Sequence, residues 1–158
     1  MSALSPTQRS EWLAERRTGI GGSDVAPILG LSKWRTPFEV FQSKRGLIEE
    51  QPETAPMRWG NLLEPVVRQE YAEATGRAVL VPEGILRHER HPFMLASLDG
   101  YTADGRVVEV KTARTAEGWG EEGSDEIPRS YLLQVQHYMA VTGFPVADVA
   151  VLIGGSDF

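Results

Sequence analysis

The chain contains no cysteine, and only three of its sixteen basic residues are lysine. Without thiols there is no disulfide framework, no thiolate zinc ribbon and no cysteine nucleophile. Long apolar runs are also missing: no stretch approaches the roughly 20 residues that a membrane-spanning helix needs. The opening residues, MSALSPTQRSEW, lack the apolar centre of a secretory signal, so a cytoplasmic protein with no membrane partner is expected. There is no internal repeat and no low-complexity tract. What is present is 158 residues, 41% hydrophobic and 24% charged. That is enough to bury a core without staples, and one domain over 1–158 is expected.

The formal net charge is −6, which taken alone argues against a nucleic-acid partner. Its distribution is uneven. Residues 1–46 hold seven basic and four acidic residues, net +3, and the remainder holds nine basic and eighteen acidic, net −9. Arginine dominates the basic set, and its planar fork matches phosphate oxygens.

Residues 7–17 have the spacing of a short helix. TGIGGSD (18–24) is a glycine-rich turn, after which Ser23 or Asp24 is expected to cap a short helix, VAPIL, stopped by Gly30. Thr36-Pro37-Phe38-Glu39 is a capping box with proline at the first helical position, and Gly46 closes that helix. The polar stretch 49–56 reads as a connection. Residues 57–75 have helical periodicity ending at Gly76, with Pro65 predicting either a kink or a helix start near it. Short strands are predicted at 79–82, 85–88 and 93–101. A turn at Ala103-Asp104-Gly105 then leads into a return strand over 106–112. Residues 114–129 read as a polar loop. Ser130 is expected to cap a helix over 131–142 closed by Gly143, and 146–153 is a strong strand. Helices, a three-strand meander, a helix and a strand predict an α/β domain with a mixed central sheet flanked by helices.

Glu109 and Lys111 lie two apart on the predicted return strand and share a face, while Val108 and Val110 point the other way. Asp99 ends the preceding strand of the same hairpin and can come beside Glu109. Two carboxylates with a backbone carbonyl, that of Val110, suit a hard divalent cation, and one ammonium can stabilise transition-state charge. Metal-assisted phosphodiester cleavage needs such a set. A Glu-x-Lys on a strand also fits an exposed, solvated face. Glu64 is a further carboxylate on a helix otherwise apolar at Leu62, Leu63, Val66 and Val67. His88 and His91 read as surface loop residues. Trp12, Trp34 and Trp59 are expected to pack, although tryptophans can also stack on bases. The acidic run 117–126 reads as a solvated loop containing Trp119.

Four ordered blocks, RRTGIGGSDVAPILGLSKWRTPFEVFQSKRG, MRWGNLLEPVVRQEYAEATG, ASLDGYTADGRVVEVKTA and YLLQVQHYMAVTG, resemble the YqaJ-type viral recombinase nucleases. That family includes the phage lambda exonuclease and belongs to the PD-(D/E)xK superfamily. The resemblance runs from about Trp12 to the end of the chain. It implies an α/β, restriction-endonuclease-like core and a catalytic set of Asp99, Glu109 and Lys111, with Glu64 completing the metal site. Arg17 and Ser23 match positions that contact a 5′-phosphate end, and Gln134 matches a glutamine close to the scissile end. Ser97 belongs to the family's S-x-D-G, and Gln136 and Tyr138 share the helix of Gln134. Leu98 stands where the superfamily motif has proline, and from the last residues GGSDF (154–158) the family's usual C-terminal extension is expected to be lacking.

The implied activity is a Mg²⁺-dependent exonuclease, with Mn²⁺ able to substitute. It would resect linear double-stranded DNA ends 5′ to 3′ for recombination, in the cytoplasm of a bacterial host and encoded by a phage or prophage. A single-strand annealing protein and a ring-shaped homotrimer are the implied partners. Alternatives are an endonuclease or single-strand nuclease on the same fold, a DNA-binding module inactive as this short chain, and, more distantly, a two-carboxylate glycosidase.

Overall fold

A computed structural model describes residues 6–49 and 52–158. The first five residues, and Glu50 and Gln51 of the polar connection, lie outside the described residues. The elements in chain order are α1 (Pro6–Arg17), α2 (Gly22–Ile28), α3 (Pro37–Lys44), α4 (Ala55–Thr75), β1 (Val79–Leu80), β2 (Leu86–Arg87), β3 (Leu95–Ala96), β4 (Gly100–Thr102), β5 (Arg106–Ala113), α5 (Arg129–Thr142) and β6 (Val146–Ile153). Among the described residues no helix is long and apolar enough to cross a membrane.

The backbone gathers into two compact units, each built from three separate stretches of chain. The first comprises the described part of Met1–Gln51, Glu83–Ser97 and Arg129–Gly143. The second comprises Pro52–Pro82, Leu98–Pro128 and Phe144–Phe158.

The second unit holds a four-stranded sheet in the order β1-β4-β5-β6. The β4–β5 hairpin is antiparallel, with Gly100 opposite Val108, and turns at Gly105, whose φ of +80° an L side chain would resist. β5 and β6 pair in parallel over all eight residues, Arg106 opposite Val146 through Ala113 opposite Ile153. Parallel pairing demands a crossover, and residues 114–145 supply it. α4 starts at its N-cap Thr54, runs unbroken through Pro65 and ends where Gly76 turns left-handed. Val67 and Tyr71 on α4 bury themselves against Val108, Val110 and Ala150. Each such side chain contributes about 1.5–3 kcal/mol. The Tyr71 hydroxyl donates to Asp148 at 2.7 Å, and Asp148 also receives Arg106 at 3.1 Å.

In the first unit α2 packs against α5, and β2 pairs antiparallel with β3. The approach of α2 to α5 is close: a Cβ on Gly22 would stand 2.5 Å from Tyr138 Cε1 and 2.9 Å from Gln134 Cγ. Ile20 bridges to Met94 beside β3, and the buried His137 ring places Nε2 3.0 Å from the Leu95 carbonyl. Burial lowers the His137 pKa, because a buried imidazolium loses its hydration.

Several expected details differ. The run 93–101 is not one strand: β3 pairs with β2 in a separate two-stranded sheet, while β4 joins the main sheet, so there is no continuous three-strand meander. The α2 cap is Gly21, one residue before the glycine that opens the helix, and Asp24 occupies the third helical position. Its carboxylate accepts from the Gly21 N–H at 2.9 Å, which satisfies an orphan donor from inside the helix. Ser130 lies within the first turn of α5, which begins at Arg129. Trp34 and Trp59 are 81% and 57% exposed, so they do not pack in a core. The mixed α/β class, the Thr36 capping box, the hairpin at Gly105 and the bounds of β6 agree with expectation.

Candidate active site

The two-residue spacing of β5 brings Glu109 and Lys111 to one face, and the hairpin register brings Asp99 alongside them. Asp99 directly precedes β4, where Gly100 already faces Val108. Its carboxylate accepts from the Val110 N–H at 2.8 Å. Both backbone groups of a strand residue face the same side, so the Val110 carbonyl is directed toward that same edge. Lys111 Nζ is hydrogen bonded to Glu109 Oε1. Glu109 is only 1% exposed, which removes the reading of Glu-x-Lys as a solvated strand face. Burial pushes the Glu109 carboxyl up to about 8; Lys111 opposes that rise, and the charges of Asp99 and Glu64 add to it. Asp99 rises to about 6, first through burial and then, against the pull of Lys111, through Glu64.

Glu64 reaches the same neighbourhood from α4. Arg68, one turn further along the helix, donates Nη1 to Glu64 Oε1 at 2.7 Å and to the Asp99 carbonyl at 2.8 Å. One guanidinium thus ties the helix carboxylate to the strand that carries Asp99. Among the described residues no three His, Cys, Asp or Glu side chains are gathered into a metal-binding group. The donor chemistry nevertheless fits a hard divalent cation. All donors are oxygen, two of the three carboxylates are raised by burial and mutual repulsion, and a cation among them would offset both costs.

The first unit holds a second cluster. Arg16, Gly21, Gly22, Ser97 and Tyr138 line one small pocket together with Ile85 and Leu95. Arg16 Nη2 donates to Ser23 Oγ at 2.8 Å, and its guanidinium lies 4.6 Å from the centre of the Trp12 ring. Gln134 Nε2 donates to the Tyr138 hydroxyl at 3.1 Å. Beneath the turn, the buried Asp24 receives Lys44 Nζ at 2.6 Å and Arg35 Nη1 at 3.3 Å, and Lys44 also donates to the Arg16 carbonyl at 2.9 Å. Burial lowers the Lys44 pKa, and Asp24 opposes that fall. The Gly21 N–H is held by Asp24, so the arginine fork rather than that amide is the pocket's donor to an anion.

Ser97 and Tyr138 therefore share this pocket with Arg16, Ser23 accepts from Arg16 without lining the pocket, and Gln134 joins the cluster through the Tyr138 hydroxyl. Arg17 and Gln136 are exposed, and neither lines the pocket. Gln136 sits two residues from Gln134, on another face of α5, whereas Tyr138 is one turn away. Sequence reasoning missed Arg16, Arg68 and Asp24. The signals were present for two of them. Arg16 is four residues after Trp12, and Arg68 is four after Glu64, so both are helix-face neighbours. The burial of Asp24 had no sequence marker.

A family model described as YqaJ-like viral recombinase domain matches residues 11–145. The uncharacterized protein YqaJ of Bacillus subtilis (strain 168) is 44% identical over 162 residues, covering 98% of this chain and 49% of that protein. Protein D345L of African swine fever virus (strain Badajoz 1971 Vero-adapted) is 41% identical over 63 residues, 39% of this chain and 18% of that one. The chain thus spans about half the length, or less, of these relatives. Among solved structures, LHK-Exo in complex with dAMP superposes with a TM-score of 0.69 at 25% identity, covering 90% of this chain and 73% of that one. The alkaline exonuclease LHK-Exo from Laribacter hongkongensis superposes with a TM-score of 0.68 at 24% identity, over 91% and 74%. The mixed α/β fold is that of these PD-(D/E)xK alkaline exonucleases.

Proposed function

Because the chain belongs to the YqaJ-like viral recombinase domain family, we propose that it is a metal-dependent deoxyribonuclease hydrolysing linear double-stranded DNA from an end. The observation that carries this reading is the buried Glu109 with Lys111 on one oxygen and Asp99 alongside on the Val110 N–H. The alkaline exonuclease superposition supports the same chemistry.

Asp99, Glu109 and Glu64, with the Val110 carbonyl, would hold a divalent cation, Mg²⁺ or in its place Mn²⁺. Bound there, such an ion supplies Lewis-acid polarisation of a phosphoryl oxygen and a lowered pKa for water. The chain's own residues do the rest. Lys111 brings a fixed ammonium to the reacting phosphate, stabilising charge that develops in the transition state. Arg68 holds Glu64 and the Asp99 backbone in register. In the first unit Arg16, with Ser23 and Ser97, receives a terminal 5′-phosphate as a charge-assisted hydrogen-bonding partner, while Tyr138 walls the pocket and Gln134 donates to its hydroxyl. Arg17 adds positive charge at the same helix end.

The finer reading is 5′ to 3′ resection during phage or prophage recombination in a bacterial cytoplasm, by a homotrimer working beside a single-strand annealing protein. The family description supports the recombination role and the Bacillus relative the bacterial setting, while the direction, the trimer and the annealing partner rest on the sequence resemblance alone. The test is digestion of linear 5′-phosphorylated duplex beside covalently closed circular DNA, with Mg²⁺ or with EDTA. Loss of the linear duplex alone, and only with Mg²⁺, is expected. Cutting of the closed circle would replace the reading with an endonuclease, and binding of both without cleavage would reduce it to a DNA-binding module.

A further inference from the structure

Seven of the fourteen large apolar side chains exposed among the described residues fall between residues 28 and 47. Three of them are aromatic: Trp34 at 81% exposure, Phe38 at 65% and Phe41 at 53%. Phe38 and Phe41, three apart on α3, stack nearly parallel, with ring centres 6.3 Å apart and an interplanar angle of 20°. Lys33 Nζ lies 5.6 Å from the centre of the Trp34 ring.

The charge of this segment runs against that of the chain. Residues 28–47 carry Lys33, Arg35, Lys44 and Arg45 against the single acidic Glu39, while the whole chain is −6. Arg35 and Lys44 are engaged with Asp24, and Glu39 is turned onto the Thr36 backbone and hydroxyl as a helix cap. Lys33 and Arg45 are the cations left facing outward. We infer that this face binds single-stranded DNA, its bases stacking on Trp34, Phe38 and Phe41 and its phosphates meeting Lys33 and Arg45.

Two features select that occupant. A single strand presents π-faces and anions together at the repeat of one nucleotide, and exposed aromatic side chains flanked by exposed cations match both. A duplex hides its base faces in the stack and offers this surface only phosphates. The inference rests on the nuclease reading for its use alone, since resection leaves a single strand to be held.

The experiment titrates the 158-residue chain with a fluorescein-labelled oligodeoxythymidylate in EDTA, so that no hydrolysis occurs. It follows anisotropy and intrinsic tryptophan fluorescence. Binding should quench the Trp34 emission. Trp34→Phe should keep the affinity and lose that quench. Trp34→Ala, and Phe38→Ala with Phe41→Ala, should each weaken binding by roughly 5- to 150-fold, the range for one base stacked on an aromatic. Lys33→Gln and Arg45→Gln should each lower the slope of log K against log salt by about 0.7. All five side chains are exposed, so melting temperatures should not move; if an aromatic variant melts early, the salt slopes carry the test. Unchanged oligonucleotide affinity in the aromatic variants, or equal competition by blunt duplex of the same length, overturns the inference and leaves this face to a protein partner. Because the assay contains no metal, its failure leaves the proposed hydrolysis untouched, and a chain inactive on duplex ends still reports on this surface.

Discussion

Replacing Asp24 by asparagine tests how the Arg16 pocket is held. Asp24 is 1% exposed and accepts from Lys44 at 2.6 Å, Arg35 at 3.3 Å and the Gly21 N–H at 2.9 Å. Asparagine keeps the shape and an acceptor for Gly21 but removes the charge. Breaking a buried ion pair from one side costs about 3–5 kcal/mol, because the other charge is left unmatched. Lys44 and Arg35 are 15% and 31% exposed at their side chains, so water partly rescues them. That argues for the lower end, about 3 kcal/mol, a large share of a typical 5–15 kcal/mol. For a chain of this length the melting temperature should fall by roughly 6–12 °C. Urea unfolding of Asp24→Asn, Lys44→Met and the double variant gives the coupling. The double variant should be more stable than the two losses added together, by about 1–3 kcal/mol. Since Lys44 also holds the Arg16 carbonyl, the single variants should lose preference for 5′-phosphorylated over 5′-hydroxyl ends. A loss under about 1 kcal/mol, or simple additivity, would refute the account of Asp24 as a charged staple.

Arg16→Gln should erase the preference for 5′-phosphorylated ends while Arg17→Gln reduces it less; digestion of the two end types in parallel decides, and the opposite ranking would return the phosphate role to Arg17. Glu109 titrates near 8 in the fold against 4.5 unfolded. Below pH 4.5 both states hold the proton, and between 4.5 and 8 only the fold does. Its contribution to stability is therefore full at low pH and lost as pH rises toward 8. Urea midpoints should fall across that window, and Glu109→Gln should flatten the fall; an unaltered slope would remove the burial argument. Arg68→Lys should lower calcium affinity, measured by calorimetry without turnover, by roughly 10- to 100-fold, the usual effect of an outer-shell partner. Unchanged affinity would mean that Arg68 does not orient Glu64. Calcium itself should support DNA binding without hydrolysis, because its looser coordination positions water poorly, and brisk cleavage in calcium would argue for a different site.

Local rules made much of this molecule legible in its residues alone. The Thr36 capping box, the Gly105 hairpin, the Gly76 stop and the apolar run of β6, broken only by Asp148, depend on interactions within a few positions. The pairing of Glu109 with Lys111 follows from strand alternation, and their approach to Asp99 follows from a hairpin whose turn is short. Helix-face neighbours four residues apart, Trp12 with Arg16 and Glu64 with Arg68, were equally readable. Only tertiary structure decided the burial of Glu109, which depends on what covers the face of β5 and changes a solvated ion pair into a raised carboxyl. It also divided the run 93–101 between two sheets, since register depends on partners distant in the chain. It gathered Lys44 and Arg35 onto Asp24, and it left Trp34 and Phe38 outside the core. A propensity reports what a residue prefers among its neighbours in sequence; which apolar face finds a partner, and which stays open to another molecule, is settled by packing between elements far apart in the chain.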